Sequence, residues 1–370
     1  MAFRSAIPRT LAIGCAALSV ACSSAPLGGP AAPGGTPDRV IFLISDGAGA
    51  AHWTLALFAE EDLELKRMKT VGLVDTRGAD HVVSGSAPTA SAYATGVRTF
   101  MGAISVDMDS VPVRTVLELA QERGMATGLV TTTAIVDATP AAFGSHVPQR
   151  YMSGEIARQM VEKRIDVIMG GGRRAFRPEE QEGGRDLLRE ARATYPYVES
   201  LDELRDLDTD TVDSLLGLLA EGEMGRFAVR GADALTLMGS TALAILDRDP
   251  DGFFLMVENE ESDTQSHGNA VDEVIRAEML DFDRLVGLAL DYQARNPGTL
   301  VLVTGDHETG GMTLPYHGDA ERTPYVAWQT GSHTGTLIPI FASGPGAERF
   351  GGIIGNDEVG RVLMELLGGS

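Results

Sequence analysis

The chain has 370 residues, 44% of them hydrophobic, with 52 Asp and Glu against 30 Lys and Arg. That is enough apolar material for one large core or two ordinary ones. A net charge of −22 argues against nucleic acid and anionic lipid as main partners, because binding phosphate backbones takes basic patches. It also repels phosphate esters at long range, so a phosphate site would need its own local positive charge, for which metal ions are the obvious source.

Arg4 and Arg9 flank the start of a short apolar stretch, residues 11–20, too brief to span a bilayer as a mature helix. Residues 1–22 are therefore expected to be an export signal. Leu18-Ser19-Val20-Ala21-Cys22 resembles a bacterial lipoprotein box, in which cleavage precedes a cysteine that is then lipidated, although the leucine sits one place further from Cys22 than usual. The alternative is an ordinary cleaved signal with an incidental Cys22. The expected location is the periplasm, or the outer membrane through a lipid tether. Both cysteines, Cys15 and Cys22, lie in this leader, so metal ligands in the mature chain must be His, Asp or Glu. Residues 23–37, rich in Pro, Gly, Ala and Ser, read as a flexible tether, and residues 38–370 as the catalytic domain.

From Asp38 onward, short β-branched runs alternate with longer amphipathic segments. The clearest runs are 40–44, 126–131, 166–169, 253–257, 299–304 and 337–342. The pattern is α/β. Val271, Val274, Ile275, Leu280, Phe282, Leu285, Val286 and Leu290 recur at helical spacing and predict a core-facing helix. Residues 176–235 are charged and weakly patterned and read as a mixed helical and loop excursion.

Three runs lead into acids: 40–44 into Asp46, 253–257 into Glu258, and 299–304 into Asp306-His307. A lone Asp after a strand is usually a turn former or helix cap. In open α/β sheets, however, ligands bind at the carboxyl ends of strands, so these acids could converge. Glu258, Asp263 and His267 follow one strand within ten residues, and His333 precedes the last run. Carboxylates and imidazoles suit Zn²⁺ where no thiol is available, whereas Mg²⁺ prefers oxygens alone. Ser86 opens an Ala-rich helix whose first turn holds Pro88, which predicts Ser86 as N-cap, where free N–H groups favour an anion.

Leu43-Ile44-Ser45-Asp46-Gly47, Ser86 in its small-residue helix, Asp137-Ala138-Thr139-Pro140, His146 to Arg150, Glu258 to His267, Asp306-His307 and His333-Thr334-Gly335 occur in the order found in alkaline phosphatases. The chain resembles that family over about residues 38 to 350. The resemblance implies a three-layer α/β/α sandwich around a large, mostly parallel sheet. It also implies hydrolysis of phosphate monoesters through a phosphoserine on Ser86, with two zinc ions and one magnesium ion. Asp263, His267 and His333 would bind the first zinc. Asp46, Asp306 and His307 would bind the second, beside Ser86. Asp46, Thr139 and Glu258 would hold magnesium, Asp137 would orient water there, and Arg150 would grip two phosphoryl oxygens. Members are often dimers, so a homodimer is an expected state.

Three departures matter. Gly85 stands where many members have an Asp that aims the arginine, so Arg150 is expected to be loose. Thr264 and Ser266 replace longer or charged side chains. Only 25 residues separate His307 from His333, leaving no room for the large crown of some members, so the chain resembles the compact bacterial forms. His146 is expected to be a framework hydrogen-bonder, and His52, His81 and His317 ordinary residues. A phosphodiesterase or sulfatase of the same superfamily is the alternative enzyme, against which Glu258, Thr139 and Arg150 speak. A lipid-anchored metal- or phosphate-binding protein without catalysis is the non-enzymatic alternative, against which the intact nucleophile and ligand set speak.

Overall fold

The computed structural model describes Ala2, residues 35–316 and residues 325–368. The expected export signal apart from Ala2, with Cys15 and Cys22, nearly all of the expected tether, and His317 lie outside the described residues. The chain from Ala32 to Ser370 forms a single compact unit.

Twelve strands are present among the described residues: β1 (Arg39–Ser45), β2 (Thr70–Asp75), β3 (Ala126–Ala134), β4 (Val167–Gly171), β5 (Tyr197–Val198), β6 (Leu215–Leu218), β7 (Phe253–Asn259), β8 (Thr299–Thr304), β9 (Glu308–Thr309), β10 (His333–Thr334), β11 (Ile338–Ser343) and β12 (Gly352–Gly355). Ten of them form one sheet in the order β12-β2-β11-β8-β1-β7-β3-β4-β6-β5, and β9 and β10 pair separately. Within the large sheet only β11 runs antiparallel, to both β8 and β2.

The central strands read as unbroken apolar runs because both of their faces are covered. Along β1, Val40, Phe42 and Ile44 enter one core while Ile41 and Leu43 enter the other, the alternation that a pleated strand imposes. One core packs the sheet against the helices Val116–Glu122, Ala138–Gly144 and Asn356–Leu366. The opposite core packs it against Ala50–Ala59, Ala234–Leu246 and Asp272–Arg295. The result is a three-layer α/β/α sandwich, as the sequence predicts. The long helix begins at Asp272 and buries Ile275, Phe282, Leu285, Val286 and Leu290.

Residues 176–235 are more than an excursion. They carry β5 and β6, which extend the parallel sheet beyond β4. β5 is only two residues long, and the apolar run at 215–220 that carries β6 is brief and flanked by charged segments. None of the described helices is long and apolar enough to cross a membrane.

Candidate metal and phosphoryl site

The site follows from strand register. Ile44 pairs with Glu258 on one side and with Thr304 on the other, and Thr131 pairs with Glu258. The carboxyl ends of β8, β1, β7 and β3 are therefore level, and the acids that leave them meet. The turn after β1 depends on Gly47, whose φ is +70° and whose missing Cβ would lie 2.8 Å from the Asp263 Cα. Only glycine allows that turn and that approach together.

His333 arrives by a different route. β9 pairs antiparallel with β10, setting His333 opposite Thr309, and the His333 ring stacks on that of His307 with centroids 3.6 Å apart. Asp263 and His267 are carried by the helix Glu261–His267, which starts directly after β7.

Three groups of side chains have ligand atoms within 4.8 Å of one another: Asp263 with His307 and His333, Asp46 with Asp306 and His307, and Asp46 with Glu258 and Glu260. His267 adjoins the first group, its Nε2 3.2 Å from Asp263 Oδ2 and 3.0 Å from His333 Nε2. Thr139 faces Glu258 without a well-formed hydrogen bond. Asp137 stands outside the three groups. The sequence did not single out Glu260, one of two adjacent acids at the strand-to-helix junction.

The electrostatics of this cluster ask for cations. Asp46 Oδ1, Asp306 Oδ2 and Thr139 Oγ1 are buried without a hydrogen-bond partner, a costly state for polar atoms. Asp306 Oδ1, by contrast, accepts the backbone N–H groups of Gly47 at 3.0 Å and His307 at 2.9 Å, which fixes the carboxylate with Oδ2 3.2 Å from His307 Nε2. His267 Nδ1 lies 2.8 Å from the Gly331 carbonyl and His333 Nδ1 2.9 Å from that of Ser84. When each Nδ1–H donates to its carbonyl, the two Nε2 lone pairs face each other, an arrangement suited to a metal ion.

Burial, followed by Asp306 and Asp263, pushes the Asp46 carboxyl well above the usual range. Burial likewise raises Glu258 to about 8, against the pull of the Thr131 hydroxyl. The hydrogen bond to Asp263 raises His267 to about 9, and burial lowers His307. In the protein without metal, protons thus stand in for the positive charge that the donor set lacks. The residues present fit divalent cations, imidazole with carboxylate in two groups and oxygen alone in the third.

Ser86 is the first residue of the helix Ser86–Thr95, with Gly85 as N-cap in place of the predicted Ser86. Its Oγ lies 3.4 Å from His307 Nε2. The helix can be buried along its whole length because its side chains are mostly small. Arg150 is anchored through its backbone N–H to the Gly102 carbonyl at 2.8 Å. Its Nη2 donates to Asp137 Oδ1, so the guanidinium expected to be loose has a partner.

His146 bridges the Ser105 carbonyl and Glu118, each at 2.8 Å, as a framework residue. His52 is buried against Ser266 Oγ at 3.0 Å, and burial lowers it to about 4, which makes it a neutral core histidine. His81 pairs with Asp80.

A family model described as alkaline phosphatase matches residues 38–320. The chain belongs to the alkaline phosphatase family. Alkaline phosphatase 3 of Bacillus subtilis is 30% identical, with 89% of this chain and 88% of the relative covered. Streptomycin-6-phosphate phosphatase of Streptomyces griseus is 32% identical, covering 90% and 92%. Among solved structures, the alkaline phosphatase of the Antarctic bacterium TAB5 has a TM-score of 0.84 and 32% identity, covering 90% of this chain and 98% of that one. A variant of that alkaline phosphatase carries Mg in a site termed M3, with a TM-score of 0.82. Family membership makes this chain a metal-binding hydrolase.

Proposed function

We propose that the protein hydrolyses phosphate monoesters through a phosphoserine on Ser86, with zinc held by Asp263, His267 and His333 and by Asp46, Asp306 and His307, and with magnesium held by Asp46, Glu258 and Thr139. The observation that carries this reading is the Ser86 Oγ at the start of a buried helix, 3.4 Å from His307 within the Asp46 and Asp306 group. Metal ions, when bound, supply Lewis acidity to the serine hydroxyl and to the leaving oxygen.

Ser86 Oγ forms a bond to phosphorus as the ester oxygen departs, giving up its hydroxyl proton while the departing alcohol gains one. A water oxygen then displaces Ser86 and releases inorganic phosphate. The helix N-terminus around Ser86 favours the anion throughout. Arg150, charged at every working pH and planar, matches two phosphoryl oxygens, and charge stabilisation of this kind does much of the work in phosphoryl transfer. Asp137 keeps that fork from turning to solvent.

The test compares rates on an aryl phosphate monoester, a diester and a sulfate with zinc and magnesium present, for the parent and Ser86→Ala. The monoester should dominate, and Ser86→Ala should lose phosphoenzyme and most turnover while retaining its metal. A faster diester or sulfate rate in the parent, or full turnover in Ser86→Ala, contradicts the reading.

Export to the periplasm, with a lipid on Cys22 holding the protein to the outer membrane, is proposed on the sequence alone. Cys22→Ser should release the protein into the soluble fraction in a host with the lipoprotein pathway, and an unmodified, soluble parent would reject the anchor. The homodimer that the resemblance implies is a proposal of the same standing, checked by light scattering.

A further inference from the structure

At the end of β7 the chain turns from extended to helical within one residue, Glu260, whose φ of −74° and ψ of −33° put it between Asn259 and the helix Glu261–His267. Its backbone N–H donates to Thr132 Oγ1 at 3.0 Å, which pins the turn to the end of β3. Its carboxylate comes within 4.8 Å of those of Asp46 and Glu258. Thr264 Oγ1 donates to Glu260 Oε1 at 2.8 Å, which orients the carboxylate.

Three carboxylates gathered around one point repel one another, and a protein retains such a group only with compensating positive charge or protons. A second and independent feature says which. Thr139 Oγ1, on a residue 1% exposed, is buried facing Glu258 without a well-formed hydrogen bond. A hard cation accepts oxygen donors of either kind, so it would engage the three carboxylates and the threonine oxygen together, which no single shared proton can do.

We propose that Glu260 is a fourth protein ligand of the all-oxygen site, added to Asp46, Glu258 and Thr139, with Thr264 as the residue that positions it. The inference rests on the third site of the proposed function. Mg²⁺ gives up its waters reluctantly and is usually held by one or two carboxylates. A third carboxylate replaces one more water and makes the site tighter and less dependent on free magnesium. Thr264 is accounted for as well, since its exposed hydroxyl holds Glu260 Oε1 and leaves Oε2 for the site.

The test is calorimetric titration of zinc-loaded protein with Mg²⁺ for the parent, Glu260→Gln, Thr264→Val and Glu258→Gln, with zinc content measured alongside. Glu260→Gln should raise the Kd for Mg²⁺ at least tenfold with zinc unchanged. Thr264→Val, on an exposed face, should raise it several-fold and keeps the question decidable if Glu260→Gln does not fold. Glu258→Gln should abolish the binding. If Glu260→Gln and Thr264→Val both bind Mg²⁺ like the parent while Glu258→Gln does not, Glu260 is no ligand and the third site stands. If Glu258→Gln also binds like the parent, the third site itself is wrong and the inference falls with it.

Discussion

Asp137 holds Arg150 and a helix with the same oxygen: its Oδ1 accepts from Arg150 Nη2 and from the backbone N–H of Ala138, the first residue of Ala138–Gly144. The guanidinium is thereby tied to a fixed point of the fold. Asp137→Asn keeps an acceptor and removes the charge, so it should weaken inhibition by inorganic phosphate by roughly three- to tenfold, the loss of a charge-assisted bond. Asp137→Ala should in addition cost about 1 kcal/mol of stability through the lost cap. Phosphate inhibition constants and melting curves check both, and an unchanged inhibition constant in Asp137→Asn would mean that Arg150 is aimed by something else.

Gly85→Asp would ordinarily be expected to tighten phosphate binding by giving Arg150 a partner. With Asp137 already in that role, the expectation reverses. A Cβ at position 85 would point to the His333 ring, 3.5 Å from its Cε1, so the new carboxylate would sit among the metal-binding side chains and oppose the phosphate. Phosphate inhibition should weaken or stay as it is. Tighter inhibition would show that Asp137 does not satisfy Arg150.

Gly47→Ala tests the turn that brings β1 to the site. A left-handed alanine costs roughly 1–2 kcal/mol, and its methyl would press on Asp263 Oδ1 at 2.7 Å. Displacing a ligand by a fraction of an ångström typically lowers metal affinity by about tenfold or more. The variant should therefore melt lower and release zinc to a chelator sooner than the parent. Parent-like zinc retention would mean that Asp263 can shift without loss.

Acid stability should depend on Glu118. Burial pushes this carboxyl up, but the His146 ring, the Lys163 ammonium and the Thr115 N–H together bring it down to about 2. A carboxyl lowered by folding contributes stability that is complete above its unfolded pKa, near 4.5, and is lost as pH falls toward 2. The contribution is at most roughly 3 kcal/mol, converted at about 1.4 kcal/mol per unit. Glu118→Gln should lower stability at pH 7 and flatten its decline between pH 4.5 and 2. A decline as steep as the parent's would assign acid unfolding to other carboxylates.

The sequence disclosed the centre of this fold better than its edges. β1, β7 and β8 are buried on both faces, so each reads as an apolar run, and the acid after each run marks the ligand end of the sheet. β2 is only half covered, with Val71 and Leu73 exposed beside buried Gly72 and Val74, and its pattern does not stand out. Glu260 was hidden for a geometric reason. Adjacent Glu260 and Glu261 part company where strand becomes helix, the second buried and accepting from Gln265 Nε2 at 2.7 Å, and no residue type says which of the two faces Asp46 and Glu258. The Asp137 and Arg150 pair was hidden because a helix intervenes, and the return of the chain depends on a bridge between Ile104 and Val147 that no local pattern announces.

The two-residue ladder between β9 and β10 acts as a collar. It holds the His307 and His333 rings together, and the chain on either side stays packed on the body, with Met312 buried in the core and Trp328 Nε1 donating to the Ala270 carbonyl. The spacing of the two imidazoles is thus owed to a ladder clamped from both flanks, and a side chain as far from the ligands as Trp328 bears on it.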